Sequence, residues 1–468
     1  MANQHIVAGV DSSTQSVKVV IRDAHTGHLI RQGRATHPDG TQIDPAHWKT
    51  ALDSAMSNAG GLDEVGALSI AGQQHGMVAL DNDGAVIRPA ILWNDTRSAQ
   101  AAVDLNAEEG GNAEIARKVG SVLVASFTAT KLRWMADNEP DNAAKVASVA
   151  LPHDWLSWQL QGGRDLARLF TDRSDASGTG YFDPTTSHYR KDILRRALRR
   201  ELEVKLPKII APDQFGGTTA SGIPIAAGAG DNAAAALGLQ TQPGDVVISL
   251  GTSGTAFAVS DTPTHDSSGS VAGFADATGG FLPLVCTLNA ARILDAATNI
   301  LGKSHDEVAA LALSSVPGAH GLTLLPYFEG ERTPNRPNAT GVFAGMNLNN
   351  SNPADIARAM IEGMLCGLTD AVDALITLGV SVNRIVIIGG AAKNPAVPIL
   401  ASALMEREVV VPPAGEYVAD GAAKQAAWAL LGQMPSWDLG EVSHYLTKPT
   451  PEVMERYRTL RDNTANWS

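Results

Sequence analysis

Cysteine is nearly absent: the 468-residue chain has two, Cys286 and Cys366. That excludes a disulfide framework and a zinc site built on cysteine pairs, and it suits a reducing compartment. Positive charge is also scarce. Lys and Arg number 36 against 49 Asp and Glu, a formal charge of −13. Such a chain has no general attraction for nucleic acid or an anionic membrane, although a local phosphate site stays compatible with it. No apolar run approaches the roughly 20 residues of a membrane span. Met1-Ala2-Asn3-Gln4-His5 lacks the basic and apolar regions of a signal peptide. Low-complexity tracts are missing too, because the 45 glycines and 24 prolines are spread along the chain. Disorder is therefore excluded, and a soluble cytoplasmic protein is expected.

What is present is material for packed domains. Hydrophobic residues make up 44 %, enough for a real core in each of the two or so domains that this length implies. Ile6-Val7-Ala8-Gly9-Val10 predicts a strand. It runs into the polar turn Asp11-Ser12-Ser13-Thr14-Gln15-Ser16, and a second strand follows at Val17–Ile21. The unit returns as Val246–Leu250, Gly251-Thr252-Ser253-Gly254 and Thr255–Val259. Two hairpins with hydroxyl-rich tips, one opening each half, imply two related lobes. The boundary is placed at 242/243. Strands at 67–71, 90–93 and 385–388 mix with helices near 44–58, 98–108, 127–138, 353–378 and 420–431, so the chain is α/β. Arg195, Arg196, Arg199 and Arg200 fall at helical spacing within a basic stretch, which reads as a solvated helix face.

Several segments carry chemistry, and each has an ordinary structural reading beside it. Asp11, at a strand end before a Ser/Thr turn, fits a metal-associated acid whose turn faces phosphate oxygens. It equally fits a turn acceptor. Gly251, Thr252, Ser253 and Thr255 form a second tip of the same kind. Asp231 precedes an Ala-rich helix, as a helix cap or as a general base. Gln74-His75 and Trp93-Asn94-Asp95 end two strands, where α/β folds bind ligands. Their hydrogen-bonding groups and the indole face suit a sugar. Gly389-Gly390-Ala391 through Asn394 is a glycine turn before an expected helix, able to admit a nucleoside beside the backbone.

Two longer stretches combine with these segments. The first is Ser126-Phe127-Thr128-Ala129-Thr130-Lys131-Leu132-Arg133-Trp134-Met135-Ala136-Asp137-Asn138. The second runs from Gly341-Val342-Phe343-Ala344-Gly345-Met346 through Asp355-Ile356 to Ala359-Met360-Ile361-Glu362. In order, and from about residue 6 to residue 430, the chain resembles the FGGY carbohydrate kinases. The resemblance implies a two-lobed actin-like, ribonuclease H-like fold with a central nucleotide–sugar cleft. It divides the chain into a lobe of residues 1–242, with sugar, first phosphate loop and base, and a lobe of residues 243–468, with second phosphate loop and adenosine site.

The residue roles follow from the same resemblance. Asp231 looks like the catalytic base, and Asp11 and Asp231 look like the acids associated with Mg2+. Ser13, Thr14, Gln15 and Lys18 look like the first ATP-phosphate loop. Gly251 to Thr255 look like the second, and Gly389, Gly390, Ala391 and Asn394 like the adenosine side. Gln74, His75, Trp93, Asp95, Asp231 and Asn232 look like the sugar contacts. Thr130, Ala391 and Gln74 depart from residues frequent in relatives: proline, glycine and, in some, methionine. The implied activity is ATP-dependent phosphorylation of a small sugar, D-xylulose ahead of ribulose, arabinitol or gluconate. Glycerol is disfavoured because the family's glycerol enzymes carry Arg-Glu where Gln74-His75 stand. A chaperone or filament ATPase of the same fold would not need the sugar-side residues. A homodimer is the family expectation.

Overall fold

The computed structural model describes residues 5–201 and 203–467. They form two compact units. The first comprises Met1–Thr241, Asp261–Leu282 and Gly415–Asp438. The second comprises Gln242–Ser260, Pro283–Ala414 and Leu439–Ser468.

In the first unit, the apolar run after His5 forms the strand Ile6–Ser12, buried along almost its whole length. It pairs antiparallel with Ser16–Asp23, with Asp11 opposite Lys18. The ladder therefore extends further than the sequence pattern predicts, and Asp11 and Ser12 belong to the strand. Ser16–Asp23 pairs antiparallel with Leu29–Thr36. On its other side Ile6–Ser12 pairs parallel with Ala67–Gly72. A parallel pair needs a long crossover, here supplied by the helix Ala46–Asn58. Pro224–Ala226 and Ala229–Gly230 then join the same parallel neighbour, Ala67–Gly72. Counted along the chain, the principal strands lie in the order third, second, first, fourth, fifth.

The second unit repeats that order. Asp245–Leu250 and Gly254–Ala258 form an antiparallel hairpin. Phe281–Thr287 extends it on one side. Arg384–Ile388 and Glu408–Val411 add parallel strands on the other. The two related lobes inferred from the hairpin tips thus share strand order as well as turn chemistry, and the fold is the two-domain actin-like α/β fold.

Strand periodicity assigns the faces of the first sheet. Ala8, Val10, Val17, Val19, Leu68 and Ile70 pack in one core with Trp48, Trp155 and Trp158. Val7, Val20 and Ala67 face the other way and pack against Ala419, Ala423, Ala426 and Ala427. These alanines lie on the helix Tyr417–Leu431. Small residues let that helix come very close: a Cβ on Gly9 would sit 2.0 Å from the Ala419 carbonyl oxygen, and one on Gly421 would sit 1.8 Å from that of Ala234.

The predicted helices appear at Ala46–Asn58, Ala99–Glu108, Thr128–Asn138, Pro353–Thr377 and Tyr417–Leu431. Two local expectations hold only in part. The segment 90–93 is a strand only at Ala90–Ile91. The basic stretch is helical over Lys191–Leu198, which ends where Arg199 turns left-handed. Arg195 and Arg196 lie exposed on that helix, opposite its buried Ile193, Leu194, Ala197 and Leu198, as a solvated face requires, whereas Arg199 and Arg200 lie past its end. Arg199 pairs with Asp137, and Arg200 donates to the carbonyls of Ala143, Ala144 and Val146. Carboxylates and open carbonyls on neighbouring elements capture these side chains, which sequence spacing does not reveal.

Candidate active site

The first unit gathers its acids at the carboxyl ends of three neighbouring parallel strands, where open α/β sheets bind ligands. Asp11 aligns with Ala71, and Ala71 with Ala229. Asp231 follows two residues later as the first residue of the helix Asp231–Gly238, with Gly230 as its N-cap. Two strand spacings put the two backbones roughly 10 Å apart. Alternation puts Asp11 on the face of Val7 and Gly9, the face on which the helix Tyr417–Leu431 packs.

The environment of each acid favours its neutral form. Asp11 is buried, and burial raises its pKa against the opposing Ser13 hydroxyl, 2.5 Å away, and Lys18. The Lys18 ammonium lies 3.7 Å from Asp11 and 2.6 Å from Glu416. Asp231 is pushed up to about 7, first by burial. The backbone N–H of Asn232 donates to Asp231 at 2.7 Å and its side-chain amide at 2.8 Å, which pull the other way, while the charge of Asp11 adds to the rise. An aspartate titrating near neutrality can accept a proton from a hydroxyl at working pH.

The sugar-side candidates adjoin these acids. The Gln74 amide is buried and donates to the Ser174 carbonyl at 3.1 Å. A Cβ on Gly230 would lie 2.7 Å from that amide, so Gln74 packs against the residue before Asp231. His75 has φ +69°. Its Nδ1–H donates to the Gly178 carbonyl at 2.7 Å. The ring packs against Phe127 and Phe274, which also touch each other. Trp93 is exposed, and its indole N–H donates to the Thr14 hydroxyl at 3.1 Å. That bond joins a sugar-side candidate to the first phosphate tip. Gln15 instead points its amide at Asp39. Asp95 is buried and engaged by Arg97 through both carboxylate oxygens, each at 2.8 Å. Burial would raise its pKa, but the Arg97 hydrogen bonds prevail and hold it below the usual range.

In the second unit, the hydroxyl-rich tip and the glycine turn lie at the same end of two neighbouring central strands. Ser249 aligns with Ile388 on parallel strands, so Gly251–Thr255 and Gly389-Gly390 leave adjacent strand ends. Gly251 and Thr252 are exposed, and Ser253 and Thr255 half-buried. Gly389 has φ +96°, and a Cβ there would lie 2.4 Å from the Leu250 carbonyl oxygen. Only glycine suits that approach. Gly390–Lys393 is one 3-10 turn, and the α-helix begins later, at Ala396. Asn394 accepts from the Ala396 N–H at 3.0 Å, and its buried Nδ2 has no hydrogen-bond partner.

Sequence reading gave no individual role to several other polar groups. Gln73 is buried, and among the described residues neither of its amide atoms nor the buried Ser12 hydroxyl has a hydrogen-bond partner. The Gln73 N–H donates to the Ser12 carbonyl at 3.1 Å, so both stand at the strand ends that carry Asp11. His153 Nδ1 lies 2.5 Å from Asp175 and 3.3 Å from Asp154, with all three side chains buried. Burial alone would lower the His153 pKa; its carboxylate neighbours instead raise it to about 10. The short helix Arg173–Ser177 carries Asp175, and the carbonyls of its Ser174 and of its C-cap Gly178 accept from Gln74 and His75. No local pattern announces such a pair.

Comparison with known proteins decides the family. Residues 6–238 match the N-terminal domain of the FGGY family of carbohydrate kinases, and residues 246–430 match its C-terminal domain. The chain belongs to the FGGY family of carbohydrate kinases. Among FGGY relatives, it is 42 % identical over 443 residues to a protein named xylulose kinase from Streptomyces coelicolor, covering 92 % of this chain and 89 % of that one. A protein of the same name from Streptomyces rubiginosus is 41 % identical, with 98 % and 95 % covered. The crystal structure of xylulose kinase from Bifidobacterium adolescentis superposes with a TM-score of 0.91 at 47 % identity, covering 97 % of this chain and 99 % of that one. As an FGGY carbohydrate kinase the chain transfers a phosphoryl group from ATP to a sugar. No helix among the described residues is long and apolar enough to cross a membrane.

Proposed function

We propose that the chain phosphorylates D-xylulose to D-xylulose 5-phosphate. The relatives similar over nearly their full length carry the name xylulose kinase. The observation that carries the mechanism is Asp231: an acid titrating near 7, at a helix N-terminus, on the strand ends that also hold Asp11. Asp231 accepts the proton of the C5 hydroxyl as that oxygen attacks the γ-phosphorus and ADP leaves. Asn232, by donating to Asp231, fixes which carboxylate oxygen takes the proton. Gln74, His75, Trp93 and Asp95 orient the sugar. Ser13, Thr14, Gln15 and Lys18 bind ATP phosphates on the first lobe, residues 1–242. On the second, residues 243–468, Gly251, Thr252, Ser253 and Thr255 bind phosphates, and Gly389, Gly390, Ala391 and Asn394 bind adenosine.

The donor set suits Mg2+, a hard cation that prefers oxygen ligands and keeps water. The charge of Asp11 raises the cost of ionising Asp231, and the orphaned Ser12 hydroxyl and Gln73 amide offer partners for retained water. Asp11 and Asp231 would hold the ion, which supplies charge neutralisation for the phosphates when bound. A homodimer and a cytoplasmic location complete the reading; sedimentation equilibrium tests the first and cell fractionation the second.

The decisive assay couples ADP release to a panel of D-xylulose, D-ribulose, arabinitol, gluconate and glycerol. D-xylulose should show the highest kcat/KM, with activity rising with pH through about 7 as Asp231 deprotonates. Asp231→Ala should lower kcat by at least about a hundredfold while ATP still binds. Another acceptor outrunning D-xylulose overturns the substrate, and near-wild-type turnover in Asp231→Ala overturns the base.

A further inference from the structure

Lys131 belongs to the first long family stretch, yet the mechanism above gives it no work. It lies in the helix Thr128–Asn138 and is 0 % exposed. Burying an ammonium is costly unless it is paired. Here no carboxylate among the described residues comes within the 4.0 Å of an ion pair. Burial drives the Lys131 pKa well down, and the charge of Asp95 only partly restores it. Asp95 is itself taken by Arg97. The Lys131 amine donates instead to the backbone carbonyl of His75, at 2.7 Å.

That carbonyl belongs to a residue in an uncommon conformation. His75 has φ +69°, in the left-handed region that non-glycine residues rarely occupy unless their surroundings impose it. The surroundings do so from two sides. The Thr128 hydroxyl donates to the His75 carbonyl at 3.1 Å, beside Lys131. The His75 ring donates from Nδ1 to the Gly178 carbonyl at 2.7 Å. Thr128 and Lys131 are three residues apart on one helix, hence on one face, and both donors converge on one oxygen.

We infer that Lys131 is a positioning residue for the sugar site: with Thr128 it clamps the His75 carbonyl and so holds His75 in the left-handed backbone conformation that aims its imidazole. The inference rests on the reading of His75 as a sugar contact and adds to it the reason the imidazole is rigid. A core lysine that merely fills space would support folding alone. A clamp acts through His75, so its loss falls on the sugar and not on ATP.

The test is a double-mutant cycle with a structural readout. Lys131→Met keeps the shape and removes the donor. It should raise the KM for D-xylulose about tenfold, as expected when the loss of one donor leaves a buried carbonyl short of a hydrogen bond. The KM for ATP should stay within about twofold, the pattern of a lost substrate-orienting contact. His75→Ala combined with Lys131→Met should be no worse than His75→Ala alone, since both act through one group. A crystal structure of Lys131→Met should show His75 outside the left-handed region. The inference is overturned by an unchanged sugar KM, by losses that multiply, or by a His75 φ that stays positive. If Lys131→Met lacks a cooperative melt, Thr128→Val takes its place under the same criteria. A His75→Ala enzyme with an unchanged sugar KM refutes the sugar-contact reading instead, and the His75 φ then decides the clamp by itself.

Discussion

Asp231 couples function to stability through its proton. Unfolded, an aspartate titrates near 3.9; folded, Asp231 titrates near 7. Between those values the folded protein binds more protons than the unfolded chain. Stability therefore falls as pH rises through that window, and the penalty is complete above about 7. Asp231→Asn should accordingly abolish turnover yet raise Tm at pH 8, by on the order of a few degrees, with a smaller rise at pH 5. Differential scanning calorimetry of the ligand-free, magnesium-free protein at the two pH values checks this. An equal shift at both would show that Asp231 does not titrate near neutrality in the fold. The positions of Asp11 by a polar turn and of Asp231 at a helix start were legible in the sequence because turn and helix-start chemistry is local. The partners of His153 and Lys131 were not. Their partners are Asp175 and the His75 carbonyl, and neither pairing leaves a periodic trace in the chain.

At the scale of elements, the helix Tyr417–Leu431 supports the turn and helix that carry Asp231. Gln425 accepts from the Gly228 N–H and from the Ser69 hydroxyl, fixing the turn before Asp231 to the fourth strand. Gly421 lies against Ala234, one turn into the helix that Asp231 begins. A Cβ at 421 must push that helix away, since backbone blocks it at 1.8 Å. Gly421→Ala should cost about 1–3 kcal/mol of stability, the usual range for overpacking. It should also lower kcat by about tenfold or more through displacement of Asp231. Urea denaturation and steady-state kinetics check both. Full activity in a folded Gly421→Ala would mean that the packing does not set the position of the base. The sequence pattern showed that a helix lies near 420–431, because its apolar residues repeat at helical spacing. It did not show which sheet the helix covers.

For the whole molecule, chain order and compact units disagree, and truncation exposes the difference. Residues 1–438 retain every segment of the first unit, whereas residues 1–414 lose Gly415–Asp438 and leave Val7, Val20 and Ala67 without their alanine cover. The longer fragment should keep a cooperative melting transition for the first unit, and the shorter one should lose it. Circular dichroism melts of the two fragments test this, and a cooperative first-unit transition in residues 1–414 would sink it. The sequence alone determined the paired hairpins, the acid at the first hairpin's turn, the acid at a helix start and the family, because alternation, turn chemistry and long ordered motifs are written in consecutive residues. Only the tertiary structure decided that Asp261–Leu282 and Gly415–Asp438 return to the first unit, that Lys131 and Thr128 converge on one carbonyl, and that Asp231 titrates near 7. Those depend on burial and on contacts between residues distant in the chain, and local propensity carries no information about either.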